Sequence, residues 1–209
     1  RLREVSVATT IPNLNFISGF NDALNVADLK GTEKDHLIHS LRSLSTPYVI
    51  LDLGAGTGEN TLDFFLEADR KVVTVVPEPT SVENAYRFIK SAFYRKLKSL
   101  ESQFGIESII DAAMDSHNNL GIKSPADLIR FIKRTNPEAG SQLEQKIAEF
   151  HLHLLLNQIR TRADIDLGQS MVSVCRKYFG VSADYLGYID HDNAVWQSLR
   201  KKRPLLIEH

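Results

Sequence analysis

A glycine-rich turn that follows an apolar run is the segment of this sequence most suited to chemistry. Residues 48–58 read Y-V-I-L-D-L-G-A-G-T-G. Because glycine has no side chain, a ligand can approach the backbone closely at such a turn. Asp52 lies where the apolar run ends, and ligands bind at the carboxyl ends of strands in open α/β sheets. The pattern predicts a ligand site around Asp52; the plainer alternative is a carboxylate that caps a tight bend.

The elements that must position this turn alternate between short apolar runs and longer helical patterns. Such alternation predicts an α/β fold, a mostly parallel sheet with helices on both faces. Strands are predicted at Asn15–Ser18, Tyr48–Leu53, Lys71–Val76, His151–Gln158 and Tyr185–Ile189. Helices are predicted at Thr32–Leu44, Asn60–Leu66, Ser81–Gln103, Leu167–Phe179 and His191–Lys201.

The stretch at about 105–149 has helical periodicity and no strand pattern. One helix is expected at Ser108–Ser116, and a second opens at Pro125, with Ser124 as its N-cap. We interpret the stretch as a helical insertion or as an elongated crossover that packs on one face of the sheet. Since neither a repeat nor a low-complexity linker is present, residues 1–209 are expected to form a single α/β domain that contains this stretch.

Composition limits the classes of partner and compartment. The chain is 43% hydrophobic and 24% charged, which is typical of a domain that buries a sizeable core. A net charge of −1 gives no electrostatic footprint for nucleic acid. Cys175 is the single cysteine, so an internal disulfide framework is excluded and a reducing, cytoplasmic setting is favoured. We expect Cys175 to be a buried helix residue rather than a nucleophile.

Two families share the glycine-rich turn, and the first is an alternative function. L-D-L-G-A-G-T-G resembles the opening motif of Rossmann-type methyltransferases that bind S-adenosylmethionine. Those enzymes need an acidic residue at the end of the next strand to bind the ribose hydroxyls. Glu78 is the candidate here, but it stands between two prolines, two residues beyond the predicted strand.

A longer series of segments resembles the MinD/ParA-type (SIMIBI class) P-loop ATPases, most closely the FlhG/FleN regulators of flagellar number. The similarity covers roughly residues 12–100 and 150–205, in order. Its segments are Y-V-I-L-D-L-G-A-G at 48–56, P-E-P-T-S at 77–81, A-Y-R-F-I-K at 85–90, the apolar strand that ends in Asn157, and G-Y-I-D-H-D with the following helix at 187–204.

This resemblance implies the roles of the site residues. Asp52 would organise the Mg²⁺ shell through a water molecule, and the Gly56 N–H would contact the γ-phosphate of ATP. Residues 57–60 would form the movable switch. The resemblance further implies a base- and nucleotide-binding set made of Pro77, Asn157, Gln158, Asp190 and Asp192.

The family's activity would be a molecular switch, in which ATP binding and hydrolysis to ADP are coupled to homodimer formation. Its expected partners are proteins of a flagellar or cell-pole positioning system, with no direct nucleic acid. The expected location is the cytoplasm, with reversible association at the inner face of the membrane.

One part of the family pattern does not occur in these residues. Nothing matches the phosphate-binding loop G-x-x-x-x-G-K-S/T. We therefore expect roughly 60–90 residues with that loop upstream of Arg1, and this chain alone to be inactive. A non-catalytic interaction module with the same fold is a third possibility.

His151 and His153 alternate on a predicted strand, so their side chains share one face. That spacing is compatible with metal ligands. Because no third ligand is near them in sequence, a structural role is favoured.

Overall fold

The computed structural model describes residues 4–18, 29, 31–114 and 121–208. Contacts between Cα atoms divide the chain into two compact units, Arg1–Ala68 and Asp69–His209. We describe each unit by itself. The prediction of a single domain remains a prediction.

The first unit contains a small hairpin and two helices. Strands β1 (Val7–Ala8) and β2 (Asn15–Phe16) pair antiparallel. The turn between them places a proline before Asn13, whose φ of 65° is one that asparagine tolerates well. Helices α1 (Gly31–Arg42) and α2 (Glu59–Glu67) are joined by two ion pairs, Lys34–Asp63 and Arg42–Glu67.

The apolar run before the glycine-rich turn does not form a strand, so the prediction for Tyr48–Leu53 is wrong. Tyr48 is 85% exposed and Ile50 is 87% exposed. A strand needs a hydrogen-bonded neighbour, and an apolar parallel strand also needs cover on both faces. Within the described part of this unit, β1 and β2 pair with each other and no strand pairs with 48–53. The strand predicted at Asn15–Ser18 is likewise only the two residues of β2.

The second unit is built on a three-stranded parallel sheet in the order β3-β4-β5. These strands are β3 (Lys71–Val75), β4 (His151–Ile159) and β5 (Ser182–Asp190). All three were predicted from sequence, with β5 beginning three residues earlier than expected. The finding is a mixed α/β unit whose parallel sheet is flanked by helices, and it is compatible with a Rossmann-like fold.

The connection from β3 to β4 is long, and the connection from β4 to β5 is short. A series of helices connects β3 to β4 in the described part of the chain, and one helix with a π-helical turn joins β4 to β5. The series is α3 (Pro79–Lys98), α4 (Glu101–Phe104), α5 (Glu107–Met114), α6 (Pro125–Thr135) and α7 (Pro137–Ala148). The rest are α8 (Arg162–Val174), the turn Cys175–Phe179, α9 (Asn193–Lys201) and α10 (Leu205–Glu208). None of the described helices combines the length and apolar character that crossing a bilayer requires.

Burial alternates across the sheet and identifies its two faces. Leu152, Leu154 and Leu156 of β4 have no exposed surface. Their face is the one against which α8 packs, since the Tyr185 ring on the same face lies directly over Gly168 of α8. Right-handed crossovers place both helical connections on this face. On the second face Val72 is 45% exposed, so the helical cover predicted on both faces is seen on one face of this unit.

The helical character of 105–149 is confirmed for its described residues, which contain α5, α6 and α7. Ser124 caps α6 as predicted, since its hydroxyl oxygen accepts from the Asp127 N–H at 3.1 Å. Asn136 ends α6 and caps α7 through the Ala139 N–H at 3.1 Å. The two helices then pack against each other along a close backbone contact at Gly140.

Gly140→Ala should destabilise the protein by about 1–3 kcal/mol. An added Cβ would lie 2.3 Å from the Lys133 Cα, so α6 and α7 would have to move apart. The measurement is the urea midpoint of unfolding. Ser141→Ala, the exposed next residue on α7, is the matched control and should change stability by less than about 0.5 kcal/mol. Equal midpoints for Gly140→Ala and wild type would contradict the contact.

Candidate functional site

The carboxyl edge of the parallel sheet brings together five of the seven residues that the sequence predicted. Pro77 follows β3, Asn157 and Gln158 lie at the end of β4, and Asp190 and Asp192 lie at and after the end of β5. The register aligns these ends: Val75 pairs with Leu156, and Asn157 pairs with Ile189. Ligands bind at this edge in open α/β sheets.

A β-bulge at Gln158 shapes the end of β4. The pairing with β5 skips this residue, and Gln158 has a φ of 60°, which is uncommon for a residue with a side chain. The Asn157 Oδ1 accepts the Gln158 N–H at 3.0 Å. That bond holds the half-buried Asn157 amide in place and leaves its NH₂ group for a ligand.

The loop after β5 is bound to the end of β4. The His191 N–H donates to the Ile159 carbonyl oxygen at 2.9 Å, and the Arg160 guanidinium lies 3.5 Å from the His191 Nε2. Asp192 is the N-cap of α9, since its Oδ1 accepts the Ala194 N–H at 2.7 Å. Asp192 therefore has a structural role, whereas the exposed Asp190 carboxylate is available to a ligand.

The segment after β3 turns sharply into α3. The Ser81 hydroxyl accepts the Val76 N–H at 3.1 Å, and Glu78 occupies the N-cap position of α3 without making a side-chain cap. Pro77 lies between Val76 and Glu78. Glu78 is exposed and three residues beyond the end of β3, so it lies off the strand end where a methyltransferase would hold ribose.

An open cleft of about 580 Å³ lies between the ends of β4 and β5 and the start of α8, and its volume is in the range of small-molecule sites. Asp190 is the predicted residue that lines it; Pro77, Asn157, Gln158 and Asp192 are not among its lining residues. The lining residues are Ile159, Arg160, Thr161, Arg162, Ile165, Asp166, Tyr188 and Asp190. Two arginines and two aspartates give the cleft both signs of charge.

Asp52 and Gly56 lie in the first unit and are described with it. The Asp52 side chain is exposed, and among the described residues no hydrogen bond or ion pair engages its carboxylate. Gly56 has a φ of 134°, a conformation that favours glycine, and a Cβ there would meet nothing within 4 Å. The turn is therefore open to a ligand, although the strand expected to present it is absent.

Sequence reasoning missed the start of α8, which lines the cleft. The helix was expected from Leu167 but begins at Arg162. The signal was present: Thr161 and Asp164 form a capping box, in which the Asp164 carboxylate accepts the N–H groups of Arg160 and Thr161 at 3.0 and 2.8 Å. These bonds lower the pKa of Asp164.

Cys175 does not serve this site as a nucleophile. It is fully buried where α8 passes into the π-helical turn, as expected from sequence. Burial raises the pKa of its thiol to about 11, so the thiolate is scarce at neutral pH.

The Asp164 cap should make stability depend on pH in the acid range. Because the folded pKa is lowered, the cap stabilises above the unfolded value of about 3.9 and is lost as pH falls through the folded pKa. Asp164→Asn should lower the urea midpoint at pH 7, and the difference from wild type should shrink below about pH 4. Asp166→Asn, on the same helix, is the control. A difference that stays constant from pH 7 to pH 2.5 would contradict the ionised cap.

Comparison with known proteins found no match among protein-family models and none among curated proteins. The function is therefore argued from the residues and the geometry of the carboxyl edge.

Proposed function

We propose that this chain contains the base-binding edge and the switch turn of a MinD/ParA-like ATPase, a nucleotide-dependent switch of the P-loop class. The observation that carries the proposal is the meeting of Pro77, Asn157, Gln158 and Asp190 at one edge of a parallel sheet. The resemblance assigned these residues to the nucleotide from sequence motifs alone. Their common position comes from strand register, which those motifs do not contain.

The Asn157 amide is suited to reading a purine. Its Oδ1 is occupied by the Gln158 N–H, which leaves the NH₂ group as a donor toward an acceptor nitrogen of the base. Gln158, displaced by the bulge, adds a second amide side chain beside it. Two amides at a strand end favour a nucleobase over a purely anionic ligand.

The switch turn is the glycine-rich turn that contains Asp52 and Gly56. It supplies the groups that the proposal assigns to Mg²⁺ and to the phosphates. The exposed Asp52 carboxylate, which forms no hydrogen bond or ion pair with the described residues, fits Mg²⁺, because Mg²⁺ prefers oxygen ligands and keeps several waters. Gly56 offers a backbone N–H at a position where a side chain would strain the turn. In this proposal ATP binding orders residues 57–60, and hydrolysis releases them.

The proposed cellular role follows the resemblance. The active form is a homodimer whose nucleotide state controls partner proteins of a flagellar or cell-pole positioning system and reversible association with the cytoplasmic membrane face. The phosphate-binding loop that hydrolysis requires is not among these 209 residues, so the assay uses the complete gene product.

Thermal unfolding of the complete gene product with Mg²⁺-ATP tests the proposal. A ligand at a hundred times its Kd stabilises the native state by about 2.7 kcal/mol. For a protein of this size that raises the Tm by roughly 5–10 °C. Asp52→Asn should reduce the shift with Mg²⁺-ATP, and Asn157→Ala should reduce the shifts with both ATP and ADP.

Matched controls separate the alternatives. Asp35→Asn, an exposed aspartate on α1, should leave the ATP shift unchanged. A shift with S-adenosylmethionine alone would replace the proposal with a methyltransferase, and no shift with either ligand would favour the non-catalytic module.

A further inference from the structure

The amino ends of β4 and β5 carry a cluster of metal-ligand side chains far along the strands from the carboxyl edge. His151 and His153 are two residues apart on β4, so they point to the same face of the sheet. The register pairs His153 with Asp184 of β5, which places that carboxylate on this face as well. Asp184 is thus the third ligand that was not found near the histidines in sequence. It follows His153 by 31 positions in the chain and is its neighbour in the sheet.

The three side chains lie within reach of one ion. One ligand atom from each residue falls within 4.8 Å of the others. The His151 Nε2 and the Asp184 Oδ2 are 2.8 Å apart, and the two imidazole rings meet edge to face with centroids 5.0 Å apart. Ligand atoms around a tetrahedral ion with bonds of about 2.0–2.2 Å are about 3.3–3.6 Å apart. Binding would therefore draw the more distant ligand atoms together by up to about 1.5 Å and move the His151 and Asp184 atoms slightly apart.

His153 supplies an independent indication of a ligand. The residue is 9% exposed, and its Nδ1 has no hydrogen-bond partner among the described residues. A buried polar atom without a partner costs stability. His151 and Asp184 are the more exposed members, so the cluster has a buried base and an opening to solvent.

The groups that face His153 carry charges of both signs. Burial, followed by the charges of His151, Arg70 and Lys71, lowers the pKa of His153, and the Asp184 carboxylate acts in the opposite direction. The nearby Arg70 and Lys71 repel a cation, so the site depends on all three ligands.

We propose that His151, His153 and Asp184 form a zinc site, with water as the fourth ligand. Two imidazoles select against Mg²⁺ and Ca²⁺, which prefer oxygen, and two nitrogens with one carboxylate are an established donor set for Zn²⁺. The ion replaces the His151–Asp184 contact and joins the start of β4 to the start of β5. It takes no part in the nucleotide chemistry proposed above.

Titration of the metal-stripped chain with Zn²⁺ and with Co²⁺ tests the site. Calorimetry should give one Zn²⁺ per chain, Co²⁺ should develop a visible d–d absorption band, and Mg²⁺ should give neither. His153→Gln and Asp184→Asn should each weaken Zn²⁺ binding by about tenfold or more. Zn²⁺ should also raise the Tm of wild type, and at the same Zn²⁺ concentration the rise should be smaller in both variants.

Control variants exclude binding by other histidines. The first control is His191→Gln, since His191 lies just beyond the carboxyl end of β5. The second is the double variant His36→Gln/His39→Gln, which removes two histidines spaced three apart on α1. Both variants should bind Zn²⁺ with the affinity of wild type. Because Asp184 is mostly exposed, its variant should fold even if His153→Gln does not. Unchanged affinity in Asp184→Asn, loss in a control variant, or no stoichiometric binding would each overturn the site.

Discussion

The pairing of β4 with β3 on one side and β5 on the other is the constraint on which the second unit depends. Leu152, Leu154 and Leu156 of β4 are fully buried on the helix-facing side, and burying three leucine side chains contributes several kcal/mol, at about 1.5–3 kcal/mol each. A slip of one residue would turn these leucines to the opposite face. The register is therefore strongly specified, and every group at either end of the strands takes its position from it.

That single register produces two chemically different edges. At the carboxyl edge the chain leaves each strand for a helix, and amides, carboxylates and N–H groups collect there, as in other open α/β sheets. At the amino edge the second face carries the buried His153, which is paired with Asp184. The two proposed sites are separated along the strands, so an ion at the amino edge and a nucleotide at the carboxyl edge would not compete for the same side chains.

The bulge at Gln158 is a local irregularity at the carboxyl end of β4. One extra residue in β4 gives Gln158 a positive φ and interrupts the regular pairing with β5. Such a conformation persists only where surrounding contacts hold it. Here the Ile159 carbonyl is bound by the His191 N–H, and the Thr161–Asp164 capping box anchors the chain that follows.

Periodicity and capping residues determined much of this protein from sequence alone, because they act locally. The strands of the second unit, the helical stretch with its Ser124 cap and the buried Cys175 follow from patterns within a few residues. Tertiary structure decided what depends on neighbours distant in the chain. The apolar run at 48–53 has the local pattern of a strand, yet it forms none, and no strand among the described residues pairs with it. Asp184 lies beside His153 only because the register of β4 and β5 pairs two residues that a helix separates in the sequence.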